Sequence, residues 1–142
     1  MQEHYGRLER MYSKSPINNQ LSSKIKISQG QVELKLKVTK DMNNGLNQIH
    51  NAYIFMALES VAFFAANSLI EDVLVFTKSF EIIFSKPASG GELIAKGIFM
   101  EKSMGNYIIS AELYDPGNKL IAKAKGIFRR SKNLLEDIKN YQ

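Results

Sequence analysis

The run Asn51-Ala52-Tyr53-Ile54-Phe55-Met56-Ala57-Leu58-Glu59-Ser60-Val61-Ala62-Phe63-Phe64-Ala65-Ala66-Asn67-Ser68 decides the fold. Ile54, Leu58, Val61, Ala65 and Leu69 recur at helical spacing, Phe55, Ala62 and Ala66 form the stripe beside them, and Phe63 and Phe64 widen it. A helix apolar around most of its circumference has to be enclosed by protein. It is not a membrane span: Glu59 lies near the midpoint of the apolar run, where a carboxylate in lipid is costly. The predicted helix covers residues 51–68, with Asn43, Asn44, Gly45 and Asn47 supplying turn chemistry before it.

The flanks alternate with a period of two. Val32, Leu34, Leu36 and Val38 share one face, and Glu33, Lys35, Lys37 and Thr39 share the other, which predicts strands with one wet face. Lys24–Ile27 precedes them across a turn at Gln29-Gly30. After the helix, strands are predicted over 73–84, 92–102, 107–114 and 119–130, with turns at Met104-Gly105-Asn106 and Asp115-Pro116-Gly117-Asn118. Two strands, one greasy helix and four strands read as an α+β domain whose antiparallel β-sheet curls around the helix. One sheet covers one side of such a helix, so a second copy is expected to bury the rest. Residues 1–20 read as a polar arm or peripheral helix with little to bury, residues 21–131 as the domain, and residues 132–142 as a charged C-terminal tail forming a short, fraying helix.

At 142 residues the chain suits one domain, and 44% hydrophobic with 23% charged residues is ordinary for a globular protein. The absence of cysteine removes disulfides, a thiolate nucleophile and Cys-ligated zinc. His4 and His50 are the only histidines and no ligand set surrounds them, so no metal is expected. A net charge of +5 is too small to indicate nucleic-acid binding but suits an anionic small molecule. The mixed-charge N-terminus lacks a secretory core, which makes a cytoplasmic location the default.

Asn44, the sequence Ile49-His50-Asn51-Ala52, and Glu59 nine positions after His50 together resemble the hotdog-fold acyl-CoA thioesterases. So do Phe80-Glu81-Ile82-Ile83-Phe84-Ser85-Lys86-Pro87-Ala88, the following Gly91-Glu92-Leu93, and the Asp115–Ala122 hairpin; the likeness covers about residues 22–130. It implies a hotdog fold, an antiparallel β-sheet wrapped around one long central helix in a homodimer, with pairing into tetramers left open. It also implies acyl-CoA as the bound molecule, the coenzyme A thioester being substrate or ligand rather than cofactor. The stretch 54–69 resembles, in addition, non-enzymatic members that sense acyl-CoA, such as the malonyl-CoA-responsive repressors of fatty-acid synthesis. The chain as a whole resembles the flagella-co-regulated hotdog proteins of epsilon-proteobacteria, a likeness that does not decide between catalysis and sensing. The resemblance therefore implies either thioester hydrolysis or acyl-CoA sensing, the latter linked for example to flagellar or virulence functions. A dehydratase is the weaker third reading, because the Asp/His pair of hydratase-type hotdogs has no counterpart here.

In the hydrolytic reading Glu59 is general base or nucleophile; on the residues alone it is equally a carboxylate on the one wet stripe of the helix. Asn51 and Ala52 occupy the first turn, where unpaired N–H groups and the positive helix end can polarise a thioester carbonyl, or where the helix is simply capped. They stand where the family has Gly-Gly, which keeps the amide donors but narrows the approach. Asn44 matches the amide that orients the thioester, and Thr77, eighteen residues after Glu59, matches a hydroxyl that positions water; each is also an ordinary turn or strand residue. His50 is expected to shape the loop. Phe55, Ser60 and Phe63 are candidates for the acyl path, and Lys86, Arg129 and Arg130, with Lys123 and Lys125, for the phosphates of coenzyme A or for a plain solvated face. Eight residues from Asn51 to Glu59 rise about 12 Å. Both groups cannot touch one carbonyl, so the site expected is shared between subunits.

Overall fold

Leu34, Leu36, Leu93, Ala95, Ile109, Ala111, Leu113 and Ile121 are almost fully buried, and all lie on the face of one sheet that meets the central helix. The computed structural model describes residues 1–142. Helix α1 (Gln2–Lys14) is followed by strands β1 (Ser22–Ser28) and β2 (Gln31–Lys37), then helix α2 (Asn51–Asn67). Strands β3 (Val73–Phe84), β4 (Glu92–Ser103), β5 (Asn106–Tyr114) and β6 (Leu120–Leu134) complete the chain, with short 3-10 turns at Pro16–Gln20, Lys40–Met42, Leu135–Asp137 and Lys139–Tyr141. All six strands form one antiparallel sheet in the order β1-β2-β4-β5-β6-β3, curled around α2.

The expected helix and strands lie where the periodicity puts them, with boundaries moved by a few residues. Ile54, Leu58, Val61, Ala62 and Ala65 of α2 are completely or nearly completely buried. Each large apolar side chain enclosed in this way contributes about 1.5–3 kcal/mol. Gly97 on β4 makes the close approach possible: a Cβ there would stand 2.4 Å from the carbonyl oxygen of Val61, so only glycine lets α2 lie this near the sheet. At the far end of α2, Asn67 is fully buried and fully bonded. Its Nδ2 donates to the carbonyls of Ile70 and Val73, and its Oδ1 accepts from the Val75 N–H, joining the end of the helix to the start of β3.

Two expectations are corrected. The arm has much to bury: His4, Leu8, Met11 and Tyr12 fall on one face of α1 and pack into the common core. The tail is not a fraying helix. Strand β6 runs on to Leu134 because the Ser131 hydroxyl bonds the Leu74 carbonyl and Arg130 grips Asp72, and the remainder forms two 3-10 turns that bury Leu135 and Tyr141. His4 joins both ends to the domain, with Nε2 donating to the Asn67 carbonyl at 2.9 Å and Nδ1 accepting from the Tyr141 hydroxyl at 2.6 Å.

No helix is long and apolar enough to cross a membrane, and no group of three His, Asp or Glu side chains is placed to hold a metal ion.

Candidate active site

One stripe of α2 escapes the sheet. Ala52, Phe55 and Met56, Glu59 and Ser60, then Phe63 follow one another at single turns of the helix, and none is fully buried. Glu59 thus lies between two phenylalanines, one turn before it and one turn after. Phe55 is 45% exposed and meets the ring of Phe80 edge-on at 5.4 Å; Phe63 meets Phe128 at 6.0 Å. The space for this stacking comes from Gly126, opposite Phe80 in the β3–β6 register, where a Cβ would collide with both Phe80 and Phe128.

Glu59 is half-buried, and its Oε2 accepts a hydrogen bond from Thr77 Oγ1 at 2.7 Å. Thr77 reaches it because residues of β3 paired with Phe128 of β6 face the helix, and the register slips just beyond it, between Thr77 and Ser79. Such a bulge re-aims the side chains beside it. The second carboxylate oxygen of Glu59 has no protein donor, so it remains able to accept a proton.

Beside Glu59 runs an open groove of about 390 Å³, lined by Phe55, Met56, Glu59, Ser60, Phe63 and Phe64 of α2, Leu74 of β3, and Met11, Ser15, Ile17 and Asn18 of the arm. A second groove of about 400 Å³ borders the start of α2, with His50, Ala52, Tyr53 and Asp41 among its lining residues. The two share Ile17 and Met56. Asn43, whose buried Oδ1 has no donor, also lines the second groove. A larger hollow of about 460 Å³ at the C-terminal end of α2, among Glu3, His4, Arg7, Glu71 and Asp72, contains none of the sequence-derived site residues.

At the start of α2, His50 is the N-cap and its Nδ1 accepts the Ala52 N–H at 2.9 Å, which places the proton of the neutral ring on Nε2. The Tyr53 N–H bonds the His50 carbonyl, and the Asn51 N–H has no internal acceptor. Of the two amides singled out in the sequence, one is therefore spent and one is free. Asn44 organises the preceding loop. Its Oδ1 accepts from the N–H groups of Leu46 and Gln48, and its own N–H donates to the Gln48 carbonyl at 2.7 Å.

The cations do not converge within a protomer. Lys86 pairs with Asp115 at 2.6 Å, Arg130 holds Asp72 through both guanidinium nitrogens, and Arg129 donates to Asn106. Lys86 follows the end of β3, whereas Arg130 pairs opposite Val75 near its start, about 30 Å of strand away. Hydrogen bonding from Lys86 holds the Asp115 carboxyl below the usual aspartate range, and that from Arg130 does the same for Asp72. Lys123 and Lys125 lie on the outward face of β6, opposite Glu112 and Ser110 of β5.

Of the residues that line the groove, the sequence singles out Phe55, Glu59, Ser60 and Phe63 as site candidates but not Met56, Phe64, Leu74 or the arm residues. Met56 carries a readable signal, being three residues before Glu59 on the same helix face. Ile17 carries little, a single apolar residue in a polar turn.

No protein-family model matches the sequence, and no curated protein matches it either. Solved structures do match in shape. The Escherichia coli PaaI protein, from the phenylacetic acid degradation operon, superposes with a TM-score of 0.85 at 19% identity, over 94% of this chain and 96% of that one. A thioesterase family protein from Silicibacter pomeroyi gives 0.81 at 20% identity, over 89% and 96%. A phenylacetic acid degradation-related protein of Ralstonia eutropha gives 0.77 at 21%, over 89% and 98%. Likeness at these identities fixes the architecture alone, which is the hotdog fold.

Proposed function

We propose that this chain binds an acyl-CoA and hydrolyses its thioester at a site completed by a second copy of itself. The observation that carries the reading is the Thr77–Glu59 hydrogen bond on the wall of an open, mostly apolar groove. Such an arrangement fits a carboxylate held in one orientation by a hydroxyl, with a free oxygen turned to a water and apolar walls for an acyl chain. In this reading Glu59 takes a proton from water as the oxygen attacks the thioester carbon. The carbonyl oxygen gathers negative charge against the unpaired Asn51 N–H, and the sulfur leaves with the proton.

Helix geometry supports the second copy. The Asn51 amide and Glu59 are about 12 Å apart along α2, so the amide that meets the carbonyl comes from a neighbour. Strand β3 supports it as well: a twelve-residue edge with Phe76, Ile83 and Phe84 exposed is a template for pairing, and pairing with another β3 would cover it. Asn44 then acts by holding the loop that presents Asn51, and His50 by capping the helix. Lys86 of one subunit and Arg129 and Arg130 of the other are the groups proposed to meet the phosphates of coenzyme A.

One observation favours acyl-CoA sensing without turnover. His50 spends the Ala52 amide, which leaves the Asn51 N–H as the one donor at the helix start for the oxyanion. Assaying thiol release from a panel of acyl-CoAs, with Glu59→Gln as control, separates the two. Turnover lost in the variant supports hydrolysis; ligand-dependent thermal stabilisation without turnover supports a sensor.

A further inference from the structure

The groove beside Glu59 has a composition that selects its occupant. Of its lining residues Met11, Ile17, Phe55, Met56, Phe63, Phe64 and Leu74 are apolar, Glu59 supplies the only charge, and no lysine or arginine reaches it. An acyl group ending in a carboxylate would meet a like charge and no partner there, which is costly in a partly desolvated site.

The wall opposite α2 is made by the arm. Helix α1, which gives the groove Met11, is held in place by His4, by Glu9 accepting the Ile27 N–H, and by the Tyr12–Ser23 hydrogen bond. The 3-10 turn Pro16–Gln20 that follows is different. It buries none of its residues, its hydrogen bonds outside the turn run to Tyr12, Ser15 and Leu21, and none crosses to α2. Ile17 is 57% exposed, yet it lines both grooves, as does Met56 of α2. These two side chains stand at the passage between the Glu59 groove and the groove at the helix start.

We propose that this groove admits an uncharged, apolar acyl group and that Ile17, with Met56, sets how long that group can be. The inference rests on the acyl-CoA reading above and deepens it. An acyl chain lying beside Glu59 grows along the helix until it meets the Ile17–Met56 pair, and only side-chain bulk, with no hydrogen bond, closes the way.

The test uses the full chain and its variants Ile17→Ala and Ile17→Trp, both at an exposed turn position, with circular dichroism to show that each is folded. Thermal stabilisation and thiol release are measured with acetyl-, butyryl-, octanoyl-, palmitoyl-, malonyl- and succinyl-CoA. The expected result is that Ile17→Ala shifts the preference toward longer chains by about tenfold and Ile17→Trp shifts it toward shorter ones by a similar factor. Acetyl-CoA should respond equally to all three proteins. Malonyl- and succinyl-CoA should bind more weakly than butyryl-CoA, and Glu59→Gln should narrow that gap. If acyl-CoAs bind but the length profile is the same in all three proteins, or succinyl-CoA binds as well as butyryl-CoA, the selection assigned to this groove is wrong and the acyl-CoA reading stands. If no acyl-CoA stabilises the wild-type protein or is cleaved by it, both fail together.

Discussion

His4 and Tyr141 lie 137 positions apart in sequence, yet Nδ1 of one and the hydroxyl of the other are 2.6 Å apart, beside the last turn of α2. The hydrogen bond and the one from His4 Nε2 to the Asn67 carbonyl tie both termini to the same point. Removing a buried partner costs more than the bond gained, because the group left behind is desolvated and alone. His4→Ala is therefore expected to lower stability by about 2–3 kcal/mol and Tyr141→Phe by about 1 kcal/mol. Urea unfolding measures both; equal stability of all three proteins would show that the termini are not held by this bond.

The helix start and the strand pattern were legible because they rest on local rules: turn residues before a capped helix, period two in β2, and Asp115-Pro116-Gly117-Asn118 between β5 and β6. Glu59 was legible as the one acid in an apolar run. The burial of the arm was written in His4, Leu8, Met11 and Tyr12 at helical spacing, but so few apolar residues in a polar segment do not say what they pack against. The extension of β6 through Ser131-Lys132-Asn133 has no local signal at all; it is imposed by Leu74 and Asp72 across the sheet. Likewise the lysines and arginines of 123–130 look clustered in sequence, but a strand sends neighbours to opposite faces, and two of the cations proposed for phosphate are already paired.

Gly97 tests the packing of α2. In Gly97→Ala the new Cβ meets the Val61 carbonyl, which is helix backbone and cannot swing aside. The substitution is expected to cost about 1–3 kcal/mol or more, as overpacking does. Gly45→Ala, with open space around the position, is the control and should change stability little. Comparable denaturation midpoints for the two variants would contradict the close approach described.

Acid should loosen the two aspartate ion pairs. The carboxyls of Asp72 and Asp115 titrate below their ordinary value because Arg130 and Lys86 bond them, so the folded chain holds fewer protons than the unfolded one. The stabilisation is present above the ordinary aspartate pKa of about 3.9 and is lost as pH falls below it through the lowered folded values. Asp72→Asn and Asp115→Asn should flatten the acid limb of a stability–pH curve while leaving its slope near neutrality unchanged. An acid limb as steep as that of the wild type would show that the loss arises elsewhere.

Strand β3 should decide assembly. The wild-type chain is expected to sediment as a dimer or a multiple of it, and Phe84→Lys, which puts a charge on the exposed edge, to move it toward monomer and to abolish thiol release with it. A monomer that keeps full turnover would remove the shared site.

The most direct measurement is thiol release from an apolar acyl-CoA by wild-type, Glu59→Gln and Thr77→Val proteins, with thermal stabilisation by the same compound read in parallel. The account predicts a fall of about 10²–10⁴-fold in turnover for Glu59→Gln and a smaller one for Thr77→Val, both still stabilised by the ligand. Unchanged turnover in Glu59→Gln would contradict it.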